Sequence, residues 1–214
     1  MQSSTPVVTY RWFVFLITLG YFLYRFIETP SGYFGAQFRF LTVWALTAST
    51  LSAWFMLRLS MGWSTWRAEA FASVTVVLNA TVVLMYWKIY LQDPALFYGS
   101  DGSPGPWHQE YFIHGLGPLL QMIDAFFILG VFRPLKQILH GIVAVPVVYI
   151  FWIEALVQPM NIKPEGSVTT GLPYRFLNNM ELSGRGEFYV TTIVTMLALT
   201  AAAWVLAWVL NRRG

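Results

Sequence analysis

Six long apolar runs, separated by polar or Gly/Pro-rich segments, dominate this sequence. They lie at about residues 7–27, 38–57, 70–91, 109–130, 137–157 and 188–210. A helix needs about 20 predominantly apolar residues to cross the hydrocarbon core of a bilayer. In lipid, a helix satisfies its own backbone hydrogen bonds, which an open strand cannot do. The runs therefore predict an all-α integral membrane bundle of six transmembrane helices, one polytopic domain over residues 1–214. The first run is read as a retained span rather than a signal peptide. FIETPSGYFG follows it, with no small-x-small cleavage site.

Composition agrees with this reading. Charged residues are 11% of the chain and hydrophobic residues 57%, whereas a soluble domain carries about 25% charge to cover its surface. Ten tryptophans and 11 tyrosines suit a protein anchored at two membrane–water interfaces. There are no cysteines, which excludes disulfides, thiolate metal sites and a cysteine nucleophile. The net charge of +3 is small and scattered, so no nucleic-acid footprint is present. No clustered ligands at coordinating spacing imply a metal, and no cofactor is expected.

Six spans put both termini on one side. Arg11, Arg58, Arg67, Arg133, Lys136, Arg212 and Arg213 fall on that side. Arg25, Arg39, Lys88, Lys163, Arg175 and Arg185 fall on the other. The short basic connections, from Arg58 to Glu69 and from Val131 to Lys136, carry the orientation signal. They place themselves and both termini in the cytoplasm. The opposite side holds the longer loops. DPALFYGSDGSPGPW is one, and the stretch from Gln158 to Glu187 is the longest. Long loops of this kind act as lids or binding loops, or are plain connectors.

Ionisable groups inside a span are costly, and they are functional or paired. The candidates are His114, Asp124 and Glu154, with Arg25, Glu28, Arg39 and Lys88 at span ends. Hydroxyls at Thr42, Ser49 and Ser52 cost less, because each can bond to its own helix backbone. Thr42 lies about one turn inside the second span and His114 about one turn inside the fourth. Glu154 lies about one turn before the fifth span leaves on the same side. Helical rise puts the three at similar depth, with Asp124 roughly 15 Å further in. A hydroxyl beside an imidazole is the minimum pair for nucleophilic catalysis, and a carboxylate that orients the imidazole completes the relay. Glu154 is the depth-matched carboxylate. Taken alone, these residues define a polar pocket in the long-loop leaflet, with Asp124 and Ser49 as further pocket candidates. Packing threonines, interfacial histidines and structural ion pairs would give the same pattern.

The stretch Tyr24-Arg25-Phe26-Ile27-Glu28-Thr29-Pro30-Ser31, then Tyr33 and Gly35, then Arg39-Phe40-Leu41-Thr42, resembles the family of androgen-induced and androgen-dependent multipass proteins. Their first loop reads aromatic–basic–x–Ile–Glu–x–Pro–Ser, followed by Lys-Phe-Leu-Thr. Arg39 stands one residue earlier than the family's lysine. His114-Gly115-Leu116-Gly117-Pro118 is similar to the family's His-x-x-x-x-Pro, one residue shorter. Asp124 falls near an acidic residue of the family's fourth span. Tyr149-Ile150-Phe151-Trp152 looks like its Tyr-Ile-Leu-Trp. Pro173-Tyr174-Arg175-Phe176-Leu177-Asn178 is similar to its Tyr-Pro-Phe-Leu loop, with Arg175 inserted. The family has histidines after the fifth-span tryptophan, where this chain has Glu154.

The resemblance implies an intramembrane threonine hydrolase of fatty-acid esters of hydroxy fatty acids. Thr42 would be its nucleophile and His114 its general base. On that reading Arg25, Arg39 or Lys88 would bind a substrate carboxylate at the interface. The expected partners are a lipid or fatty-acid ester and the bilayer. Two other classes fit the spans. A small transporter or channel would run protons or ions past Asp124, Glu154 and His114, and a structural scaffold would use none of them.

Overall fold

A computed structural model describes residues 3–28, 32–98, 105–161 and 171–212. The chain is all-helical: 82% is helix, and no strand occurs among the described residues. Six long helices follow one another, α1 Thr5–Glu28, α2 Leu41–Ser60, α3 Glu69–Gln92, α4 Trp107–Leu129, α5 Leu135–Met160 and α6 Leu182–Asn211. Short helical turns at Ala36–Arg39, Ala95–Tyr98 and Arg175–Asn178 lie in the connections.

Several boundaries have a local chemical cause. α4 begins after Pro106 and ends on Gly130, whose φ of 71° is the left-handed conformation that closes many helices. α5 begins directly after Pro134.

Five of these helices, all but α2, are long and apolar enough to cross a membrane. α2 differs because it carries Thr42, Thr47, Ser49, Thr50, Ser52, Arg58 and Ser60. It is wrapped instead by α1 and α3, with contacts to α4, and Ser49, Thr50, Ser52 and Ser60 are buried. Thr47 and Thr50 turn their hydroxyls back to the carbonyls of Val43 and Leu46. Outward faces are apolar: Phe13 and Leu16 on α1, Phe127 on α4, Val147 and Phe151 on α5, and Val190 and Trp204 on α6 are all exposed. An exposed apolar surface of this extent belongs against lipid.

Between lipid-covered helices, packing and buried hydrogen bonds carry association, because burial from lipid adds little hydrophobic drive. The core runs through Met56, Ala72, Val76, Val77, Ile138, Ile142 and Met196. A polar knot crosses it. Asn79 Nδ2 donates to Ser49 Oγ at 2.8 Å, and Gln121 Nε2 donates to the Ser49 carbonyl at 3.0 Å. These bonds tie α2, α3 and α4 together, and Ser49 is part of that tie.

The two ends of the bundle are built differently. At the end holding the chain's start, the Ser3 amide bonds to the Ser60 carbonyl at 3.2 Å. There Arg11 Nε and Nη2 grip the two Asp124 oxygens at 2.8 and 2.7 Å. Its Nη1 reaches Ser60 Oγ at 2.6 Å and the Met56 carbonyl at 3.2 Å. Around one hollow, the other end gathers the last turn of α1, the first turn of α2, the second half of α3, the start of α4, the middle of α5, the first half of α6 and the 171–178 segment.

Candidate functional site

That hollow is a cavity of about 840 Å³, in the size range of small-molecule and lipid sites. Its walls are mainly Leu78, Val82, Met85, Ile89, Ile113, Ile150 and Met196, and its polar lining includes Thr42, His114, Glu110, Arg25, Arg39, Tyr149 and Tyr174.

Thr42 is the second residue of α2. Phe40, just ahead of that helix, gives it no side-chain cap, so the first amides of α2 must find partners elsewhere. Val43 and Trp44 turn back to the Phe40 carbonyl at 3.0 and 3.4 Å. The Leu41 amide donates to the Tyr174 hydroxyl at 3.0 Å. Aromatic donors fix the segment just before it. Trp44 Nε1 and Trp152 Nε1 both donate to the Phe38 carbonyl, at 2.7 and 3.0 Å, and the Tyr149 hydroxyl donates to the Arg39 carbonyl at 2.8 Å. Gly35 enters this segment at φ 83°, and a Cβ there would come within 3.1 Å of the Trp152 ring. Asn161 clamps the Phe34 amide and carbonyl to the end of α5 at 2.8 and 3.2 Å.

His114 sits in a π-helical turn, Phe112–Leu116, with φ −103° and ψ 19°. Few residues occupy that backbone region, and π-turns inside α-helices occur often at functional sites. Pro118 causes part of the distortion. It has no amide to offer the carbonyl four residues back, which is that of His114. Trp87 Nε1 fills the vacancy, donating to the His114 carbonyl at 2.8 Å. Tyr86 stacks flat on the imidazole, with centroids 3.6 Å apart and planes 2° apart. The ring is buried at 6% exposure, and its Nδ1 has no hydrogen-bond partner among the described residues. Its Nε2 lies 3.6 Å from a Glu110 carboxylate oxygen, one helical turn earlier.

The 171–178 segment forms the remaining wall. Asn178, fully buried, closes it on itself. The Leu172 amide donates to Asn178 Oδ1 at 3.0 Å, and Nδ2 donates to the carbonyls of Leu172 and Tyr174 at 2.9 and 3.2 Å. Gly171, at φ 55°, lies so close to α5 that a Cβ would stand 2.6 Å from the Gln158 carbonyl. Burial raises the Tyr174 phenol above its ordinary pKa. The hydrogen bond from the Leu41 amide, with the nearby Tyr149 and Thr42 polar groups, pulls the other way. The Tyr174 oxygen thus stands at the head of α2, against Thr42.

Arg25 and Arg39 form the cationic part of the lining. The Arg39 guanidinium lies 4.1 Å over the Tyr33 ring and 4.7 Å over Phe40. Burial lowers the Arg39 pKa from its ordinary value, and the like charge of Arg25 adds to that. Among the described residues neither arginine has a carboxylate within ion-pair distance.

The structure therefore brings together Thr42, His114, Arg25 and Arg39 on one cavity. It departs from the sequence reading at Glu154. Both Glu154 oxygens are held by Arg185, at 2.8 and 3.2 Å, and one also accepts from the Tyr189 hydroxyl at 2.6 Å. Glu154 locks α5 to α6, and the carboxylate beside His114 is Glu110 instead. Asp124 belongs to the Arg11 grip at the opposite end. Ser49 faces a small void next to Thr42 rather than the large cavity. Lys88 is exposed and is not part of the lining. Glu110 carried a readable signal, since residues four apart share a helix face and Glu110 precedes His114 by four. Thr29, Pro30 and Ser31 of the first motif, and Lys163, lie outside the described residues, as does the side chain of Glu28. Among the described residues no three His, Asp or Glu side chains gather where they could hold a metal.

Comparison with family models, curated proteins and solved structures yields no match.

Proposed function

We propose that this protein is a multi-pass membrane hydrolase of lipid esters, with six spans, both termini in the cytoplasm and the active site in the opposite leaflet. The observation that carries the reading is that Thr42 and His114 line the same largely apolar cavity. The likeness of its first-loop motif and of Phe40-Leu41-Thr42 to the androgen-induced family points the same way.

In this mechanism Thr42 Oγ attacks the ester carbonyl while His114 takes its proton. The carbonyl π pair moves onto oxygen, then returns and expels the alkoxide, which takes the proton from His114. Water, deprotonated by His114, attacks the acyl-threonine; collapse breaks the bond to Thr42 Oγ, which takes that proton back from His114, and frees the fatty acid. Glu110, at ion-pair distance from Nε2, steadies the imidazole and its transient charge. The apolar walls hold the acyl chains. Arg25 and Arg39 hold a substrate carboxylate at the mouth, which suits fatty-acid esters of hydroxy fatty acids.

A transporter needs its ionisable groups along one path. Asp124 and Glu154 each sit in an arginine ion pair, and neither lines the cavity.

Labelling with a fluorophosphonate probe tests the proposal. Purified wild type is expected to carry one adduct, mapped to Thr42 by mass spectrometry. Thr42→Ala and His114→Ala are expected to lose both adduct and ester turnover. Undiminished labelling of either variant would remove the mechanism and leave the membrane fold untouched.

A further inference from the structure

An acyl transfer to Thr42 requires a donor for the oxygen that becomes negative, and such donors are worth about 10²–10³ in kcat. We propose that the Tyr174 hydroxyl is this donor, an inference that rests on the hydrolase reading above.

Three observations converge on it. Tyr174 lines the cavity beside Thr42 and His114. Its oxygen accepts the Leu41 amide at 3.0 Å, which sets the phenol at the residue next to Thr42, whose hydroxyl is among its electrostatic neighbours. The Leu41 amide already feeds the phenol oxygen, and the Tyr149 proton goes to the Arg39 carbonyl at 2.8 Å.

The reaction creates a new acceptor beside Tyr174. Once Thr42 Oγ is bonded to the acyl carbon it becomes a weak ester-like acceptor. The former carbonyl oxygen, attached to the same carbon, carries the new negative charge and becomes the strongest acceptor nearby. The Tyr174 O–H turns to that oxygen and keeps its proton. Amides of the α2 start, with the positive end of the helix dipole behind them, polarise the phenol oxygen and strengthen it as a donor. The loop is built to hold this group still. Asn178 bonds both ends of the segment around Tyr174, and Tyr174 stacks on Phe176 with centroids 5.7 Å apart.

The test uses the purified full chain in detergent with 4-nitrophenyl octanoate as substrate. Tyr174→Phe is expected to lower kcat by about 10²–10³, with KM moving less than about threefold, because the donor acts only in the transition state. Labelling of Thr42 by a fluorophosphonate is expected to slow to a similar degree, since its adduct bears the same oxygen. A second variant carries 3,5-difluorotyrosine at position 174, which keeps the hydroxyl and makes it more acidic. Its kcat is expected to recover at least to the order of wild type, an outcome that a structural role alone does not produce after a loss in Tyr174→Phe. If Tyr174→Phe does not fold, a kcat that shifts with phenol acidity across mono- and difluorotyrosine variants carries the proposal, and an unchanged kcat overturns it. Active wild type beside a Tyr174→Phe kcat within about threefold overturns Tyr174 as donor and leaves the hydrolase reading intact. Wild type with neither labelling nor turnover overturns both.

Discussion

The two ends of the bundle contain similar residue types arranged to opposite effect. At the closed end one arginine, Arg11, meets one carboxylate, Asp124, and the remaining donors on Nη1 go to Ser60 and the Met56 carbonyl. Charge and hydrogen bonds are satisfied there, and these groups line neither the large cavity nor the small void. At the open end Arg25 and Arg39 face a hollow with no carboxylate of the described chain to meet them. His114 there keeps one nitrogen without a partner among the described residues. A chain in lipid tolerates charge where it is paired or where it serves a ligand. The closed end illustrates pairing, and the open end leaves its polar groups directed toward something the protein does not itself supply.

If that contrast is right, breaking the closed end should damage the fold and spare the chemistry. Arg11→Met leaves the Asp124 carboxylate buried and alone, which costs about 3–5 kcal/mol. The expected result is a large drop in thermal unfolding temperature in detergent, with turnover per folded molecule unchanged. The double variant Arg11→Met with Asp124→Leu should regain much of the loss, because it removes the buried charge as well as its partner. Equal instability in the double variant would show that the pair is not the cause.

At the open end the expected pattern is reversed, with stability kept and rate lost. Glu110→Gln keeps the shape of the side chain and removes its charge from beside His114. A kcat lower by about 10–100-fold is expected, less than the roughly 10⁴-fold seen when a tightly bonded triad aspartate is neutralised, because the Glu110–His114 contact of 3.6 Å is longer. Glu154→Gln is the contrasting variant. It should weaken the α5–α6 tie to Arg185 and leave the form of the pH–rate profile unchanged. If Glu154→Gln altered that profile and Glu110→Gln did not, the two carboxylates would have to exchange roles.

That exchange of roles marks the limit of what the sequence made legible. The six apolar runs read as helices because span length and hydropathy are one-dimensional properties. The run at residues 109–130 became a helix at Trp107–Leu129, and the run at 137–157 became one at Leu135–Met160. Depth was read in the same way, by counting residues along a helix. Direction around the helix axis was not. Residue counting gives Glu154 a depth similar to that of His114, but it lies in a π-helical turn, Trp152–Val157, just as His114 lies in Phe112–Leu116. An extra residue in a turn rotates the remainder of the helix by about 100°, and hydropathy does not report it. Tyr174 was visible only as part of a short loop motif. Its place at the head of α2 depends on Asn178 and Gly171 folding that loop back, which is a long-range arrangement. Lys88, close to the end of its apolar run, faces outward for want of the same azimuthal information.

The smallest effect should come from the arginines. Arg39→Gln removes one of the two charges at the cavity mouth while keeping a polar side chain over Tyr33 and Phe40. A lost charged hydrogen bond to a substrate carboxylate costs about 1.5–3 kcal/mol, so KM for an ester bearing a free carboxylate should rise about 10–100-fold. For a neutral ester such as a 4-nitrophenyl alkanoate, the same substitution should leave KM nearly unchanged, because nothing in that substrate meets the guanidinium. The ratio of the two kcat/KM values is the measurement, and it cancels any general loss of folded enzyme. If Arg39→Gln changed both substrates equally, Arg39 would serve the packing of Tyr33 and Phe40 rather than the ligand. The open end would then resemble the closed one, with cations held by aromatic faces instead of by a carboxylate.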